Sequence, residues 1–147
     1  DYMGAGNGLL RQCGPADFEH LYQWAGELAD DCKLPEGRPS RERVQKHLDD
    51  GSYYYWEVGN EPVAMLRRHV NDANQCARIN SVFTPLRWRG RGYGLDGTAT
   101  LTQKCLDEGA HYVTLVADVK NTTSNGIYQR VGFRAVEDLK LFEFQAK

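Results

Sequence analysis

The chain has 147 residues, 18 basic and 20 acidic side chains and a formal net charge of -2, which suits one domain and excludes a surface built for nucleic acid or anionic membrane. Its four cysteines, Cys13, Cys32, Cys76 and Cys105, lie far apart with no CxxC pair, so no metal site and no disulfide framework is signalled, and a reduced cytoplasmic setting is expected. No apolar run approaches the ~18 residues of a membrane span, so no membrane partner is expected either.

The start, with Asp1 and the close-set Gly4, Gly6 and Gly8, reads as a flexible linker over residues 1–8 in front of a domain spanning 9–147. Leu9 to Cys13 suits a short first strand. Gly14-Pro15 then opens a helix whose apolar residues Phe18, Leu21, Trp24 or Ala25, Leu28 and Cys32 recur at helical spacing. The polar link Lys33 to Pro39 ends it. Ser40 caps a second short helix that buries Val44 and Leu48 and stops near Gly51. Tyr53 to Val58 and Val63 to Val70 read as a hairpin around the turn Gly59-Asn60-Glu61-Pro62. Ala77 to Phe83 follows as a third antiparallel strand, with Ala77, Ile79, Ser81 and Phe83 alternating against Arg78, Asn80 and Val82.

From Tyr93 to about Glu108, Leu95, Ala99, Thr102 and Leu106 mark the principal helix, closed by Gly109. Tyr112 to Ala117 is a continuous apolar run of the kind buried in a parallel pair, which completes a βαβ unit. A last helix is expected over Thr122 to Val131 and a last strand over Leu139 to Phe144. The fold class is therefore α/β of α+β character: a mixed, mostly antiparallel sheet of six or seven strands flanked by about four helices.

The most informative stretch joins the third strand to the principal helix: Val82-Phe83-Thr84-Pro85-Leu86-Arg87-Trp88-Arg89-Gly90-Arg91-Gly92-Tyr93-Gly94. Glycines let backbone approach a ligand, arginines bring positive charge, and a helix N-terminus presents unpaired N–H groups, so the loop is suited to a pyrophosphate. Gly92-x-Gly94-x-x-Gly97 also satisfies the dinucleotide-binding GxGxxG string, with Asp118 after the next strand. Against that rival, Thr84 to Arg91 separates the strand from the first glycine, and only one βαβ unit follows.

The segment Val82 to Phe133 resembles the acetyl-CoA-binding core of the GNAT N-acetyltransferase superfamily. The first signature, Arg or Gln, two residues, Gly, one residue, Gly or Ala, is matched by Arg89, Gly92 and Gly94. The second, an Asn followed seven residues later by Tyr and then by Gly-Phe, is matched by Asn121, Tyr128, Gly132 and Phe133. The Thr-Ser-Asn-x-Ile-Tyr-x-Arg-x-Gly-Phe form is especially similar to a bacterial group of GNAT acetyltransferases that often carry an extra N-terminal region. On a helix, Asn121, Ser124, Asn125 and Tyr128 share one polar stripe.

The resemblance implies acetyl-CoA as cofactor and direct acetyl transfer to an amine, on a small molecule or a protein, in a ternary complex; a homodimer is compatible with it. Tyr128 would be the general acid on the leaving thiolate. Val82, Phe83 and Thr84 would occupy the bulged strand that pairs with pantetheine through its backbone. Arg87, Arg89, Gly90, Arg91, Gly92, Tyr93, Gly94, Asn121 and Ser124 would complete the cofactor site with Tyr128. Glu57, or a water held by Asn80 or Ser81, is the candidate base, while His20, His47, His69 and His111 join no recognisable dyad. Trp24, Asp30, Asp31, Glu36, Tyr53, Tyr55 and Trp56 offer an acceptor lining of rings and carboxylates suited to a cationic amine. The other outcome compatible with the glycine loop is an acyl-CoA-binding module without catalysis.

Overall fold

The computed structural model describes residues 8–73, 75–116, 134–137 and 141–145. Seven strands form one sheet in the order β1-β2-β3-β4-β5-β7-β6. They are β1 (Leu9–Gln12), β2 (Tyr53–Val58), β3 (Glu61–Asn71), β4 (Cys76–Phe83), β5 (Tyr112–Val116), β6 (Arg134–Glu137) and β7 (Leu141–Gln145). Among the described residues, α1 (Phe18–Cys32), α2 (Arg41–Asp49) and α3 (Tyr93–Asp107) flank it. All pairs are antiparallel except β4 with β5. The mixed sheet and its βαβ unit therefore match the expected class, while the expected linker (residues 1–7 of it) and the helix over 122–131 lie outside the described residues.

Local chemistry explains the boundaries. A one-turn 3-10 helix at Pro15–Asp17 precedes α1, and Lys33 ends α1 in the left-handed region at φ 51. Ser40 caps α2, its hydroxyl accepting the Arg43 N–H at 3.1 Å. The β2–β3 turn is tighter than expected: Gly59 and Asn60 adopt φ 60 and 65, a two-residue loop of matching twist, so Glu61 and Pro62 already belong to β3. The four-residue edge strand β6 has no apolar alternation to announce it, which is why the sequence pattern misses it.

Each sheet face carries its own core. On one, α3 covers Tyr54, Trp56, Ala64, Leu66, Ala77 and Ile79. On the other, α1 and α2 cover Tyr53, Tyr55, Met65 and Phe83 with Leu21, Trp24, Val44 and Leu48. Gly97 lets α3 lie close on its face: a Cβ there would sit 3.0 Å from Leu66 Cδ1 and 3.4 Å from Trp56 Cβ. The third glycine of the GxGxxG string is thus a packing residue.

Strand β4 departs from the expected alternation. Arg67 pairs with Ser81 but Arg68 pairs with Ile79, so Asn80 is an extra residue, a β-bulge. Because side chains alternate with period two, the insertion swaps the faces beyond it. Ala77 and Ile79 face α3, whereas Phe83 joins the α1/α2 core. The bulge therefore sits two residues before Val82, not at Val82 to Thr84. Among the described residues, β4 pairs with β5 over Cys76–Ile79 and Tyr112–Leu115.

Candidate functional site

The C-terminal end of β4 leads into the glycine loop. A one-turn 3-10 helix, Leu86–Trp88, is followed by Gly90 and Gly92, both in the left-handed region at φ 81 and 80. Gly92 is the N-cap of α3 and has no side chain to cap it, so no N-cap group occupies the first-turn N–H donors. A Cβ on Gly90 or Gly92 would meet nothing within 4 Å, while one on Gly94 would lie 3.4 Å from Thr84 Oγ1 and 3.5 Å from Val82 Cγ1. Gly94 thus brings the helix start against the β4 end, and the concavity above the two other glycines stays open. Donors at a helix N-terminus in an open backbone cradle fit a pyrophosphate.

The three arginines of the loop differ in their engagements. Arg89 donates to the Thr84 carbonyl at 2.7 Å and to Asp31 Oδ2 at 2.6 Å, which ties the loop to the end of α1. Arg87 and Arg91 both lie over the Trp88 ring, 5.4 and 5.3 Å from its centroid, and Arg87 reaches Glu61 only at 3.8 Å. Trp88 packs near Tyr93, with ring centroids 6.3 Å apart, at the margin of the α3 core. Val82 and Thr84 are half-buried and Phe83 is buried. Asn121, Ser124 and Tyr128 lie outside the described residues.

Glu57 stands on β2 opposite Leu9, its carboxylate accepting from Arg11 Nε at 2.9 Å. Arg11 also holds Asp17 at 3.0 Å and lies over the Tyr55 ring. Tyr55 OH is 2.6 Å from His20 Nδ1, and His20 packs on Trp24 at 4.1 Å. Burial pulls His20 below the usual imidazole range, Asp17 and Glu27 opposing it. Sequence spacing showed no dyad at His20 because its partner lies 35 positions away on β2.

A cleft of about 610 Å³ opens on the α1/α2 side, bounded by the 34–40 link, α2 and strands β2 to β4. The bulge residue Asn80 and its neighbour Ser81 line it, so this cleft adjoins the bulge of β4. Of the expected acceptor lining, Glu36 and Tyr53 are present. Trp24 and Tyr55 belong to the core beneath, and Trp56 faces α3. Asp30 and Asp31 are occupied by Arg38 and Arg89. The charge here is mainly positive: Arg38, Arg43 and Arg67 line the cleft beside His47. Burial, then Arg67 and Arg43, pulls His47 below the usual imidazole range, which keeps the ring neutral near pH 7. Sequence reasoning missed Arg67, although a charge two residues after the core-facing Met65 was its signal.

A family model described as the acetyltransferase (GNAT) family matches residues 18–133. The chain belongs to the GNAT acetyltransferase family. Solved structures of GNAT fold agree with it over almost the full length. One is a GNAT acetyltransferase from Bacillus anthracis, 15% identical, with TM-score 0.75 over 99% of this chain and 98% of that one. A GNAT acetyltransferase from Brucella melitensis in complex with acetyl-CoA is 14% identical, with TM-score 0.72 over 95% and 88% of the two chains. An aminoglycoside acetyltransferase from an uncultured soil metagenomic sample, in complex with sisomicin, is 18% identical, with TM-score 0.72 over 96% and 97%. No curated protein sequence matches the chain. At these identities the likeness to solved structures is one of GNAT fold.

Proposed function

We propose that this chain is an acetyl-CoA-dependent N-acetyltransferase acting by direct transfer to an amine in a ternary complex. The observation that carries this is the continuity of the bulged β4 with the glycine start of α3. Pantetheine would lie along the C-terminal part of β4, hydrogen-bonded by its backbone as an added strand, and the pyrophosphate would rest on the Gly90-to-Gly94 amides. Acetyl-CoA supplies a thioester carbonyl that an amine nitrogen can attack as the carbon–sulfur bond breaks. Arg89 holds the loop in shape through Thr84 and Asp31, while Arg87 and Arg91 bring cationic charge to its rim.

An amine attacks only when neutral, so its proton must be collected. His47 is held neutral and lines the cleft beside the bulge, whereas the Glu57 carboxylate is already engaged by Arg11. His47 is therefore the stronger base, with Glu57 second. The family's motif assigns the thiolate's proton to Tyr128, together with cofactor contacts from Asn121 and Ser124.

Calorimetry with acetyl-CoA, CoA and NAD tests the cofactor, and CoA release over a panel of amines tests the transfer, with Tyr128→Phe as the probe of the acid. Binding of both CoA forms but not NAD is expected, with turnover lowered in the variant. Failure to bind either CoA form would refute the proposal. Binding with no CoA release from any amine would leave a non-catalytic acyl-CoA sensor.

A further inference from the structure

Arg67 is half-buried at the floor of the cleft, and its guanidinium has no hydrogen-bond or ion-pair partner among the described residues. Two neighbouring arginines are compensated: Arg68, on the opposite face, holds Glu108 at 2.9 Å, and Arg38, which also lines the cleft, holds Asp30. Arg43 faces the same space from α2, and no described carboxylate holds it either. Among the described residues that line the cleft, the one carboxylate is Glu36, exposed on the connecting link. Two like charges converging on one space are costly unless an anion joins them. Burial, with Arg43 adding to it, pulls Arg67 below the usual guanidinium range. In register, Arg67 stands between Tyr53 on β2 and Ser81 on β4, beside the Asn80 bulge. An anion held there would place the rest of its molecule beside the bulge of β4.

We infer that the acceptor is a small amine that also carries an oxyanion, carboxylate or phosphate monoester, and that Arg67 together with Arg43 binds that oxyanion. This rests on the proposed acetyl transfer for what happens at the amine end. It reverses the polarity read from the sequence, where rings and carboxylates suggested a cationic acceptor.

The test measures CoA release with acetyl-CoA and matched acceptors: α-amino acids, aminoalkyl phosphates, the carboxamides of the same amino acids, and polyamines. Wild type, Arg67→Gln and Arg67→Lys are compared, with acetyl-CoA calorimetry and melting curves in parallel. Wild type is expected to favour an anionic class over its neutral counterparts at least about tenfold in kcat/KM, the carboxylate and phosphate arms identifying the source. In Arg67→Gln the KM for that class should rise about 10- to 100-fold, the loss expected for a charge-assisted hydrogen bond, with kcat little changed and partial recovery in Arg67→Lys. Its melting temperature should hold or rise, because an uncompensated charge has been removed.

Equal or better use of neutral or polycationic amines by a wild type that binds acetyl-CoA would overturn the inference. So would an unchanged acid-to-amide ratio in Arg67→Gln, or a lowered melting temperature that marks Arg67 as structural. A wild type that fails to bind acetyl-CoA refutes the transfer proposal instead. Calorimetric binding of the same amino acids and aminoalkyl phosphates, lost in Arg67→Gln, then decides the Arg67 site alone.

Discussion

Replacing Gly92 by Ala separates the two properties that the loop glycine combines. At φ 80 and ψ 12 the backbone is left-handed, which costs an L-residue about 1–2 kcal/mol. A Cβ at this position meets nothing within 4 Å, so the free protein should lose that strain energy and no more. For a domain of this size the melting temperature should fall by about 2–8 °C. Binding should suffer separately if the loop seats the pyrophosphate as proposed, since the new methyl would project into the space open at Gly92. Losing one such charge-assisted contact weakens acetyl-CoA by about tenfold or more. Gly109→Ala is the control: Gly109 follows the other end of α3 at φ 106, also with open space around its Cβ. That variant should melt lower yet bind acetyl-CoA as wild type does. Calorimetry and thermal melts read both quantities. If Gly92→Ala lost stability but bound acetyl-CoA unchanged, the loop would not be the cofactor's seat.

His47→Gln should lower kcat at neutral pH by about 100-fold or more and remove the acid limb of the rate profile, as expected for loss of a general base. An unchanged profile would dismiss His47. Arg11→Leu, which strands the half-buried carboxylates of Asp17 and Glu57, should cost about 1–3 kcal/mol in urea denaturation. A change under about 0.5 kcal/mol would show that the network contributes little. His20 and His47 both have depressed folded-state pKa values, so between those values and the unfolded ~6.5 the unfolded chain binds more protons. Stability should therefore fall as pH drops below about 6.5, and the double variant to Gln should flatten that slope in melts from pH 7.5 to 5. Gly97→Val should destabilise by about 1–3 kcal/mol, because the added side chain meets fully buried Leu66; a neutral result would mean that this interface can yield.

Much of the scaffold was legible in the sequence because local chemistry dictates it. The Ser40 cap, the helical stripe of α1 and the glycine-bounded α3 follow from caps and periodicity. The bulge was misplaced because alternation is continuous through Asn80 in the sequence, and only pairing with β3 reveals the extra residue. The polarity of the cleft was misread for a related reason. Asp30 and Asp31 read as acceptor carboxylates, but Arg38 and Arg89 approach them from 8 and 58 positions away and neutralise them. Arg43 and Arg67, on separate elements, become neighbours only through the fold. The Asn121-to-Tyr128 motif was legible as sequence and lies outside the described residues.

The parallel pairing of β4 with β5 also bears on how the molecule opens. Among the described residues, Cys76 to Ile79 pair with Tyr112 to Leu115, and that short ladder joins β1–β4 to β5–β7–β6, with α3 bridging the seam above. Such a seam is where a domain divides into cooperative units of unequal stability. Amides near Ile79 and Leu115 should exchange with solvent deuterium at rates set by sub-global opening, faster than those of the β2–β3 hairpin. A ligand that lies along β4 and reaches α3 would staple the two units, slowing exchange across the whole seam and not only where it touches.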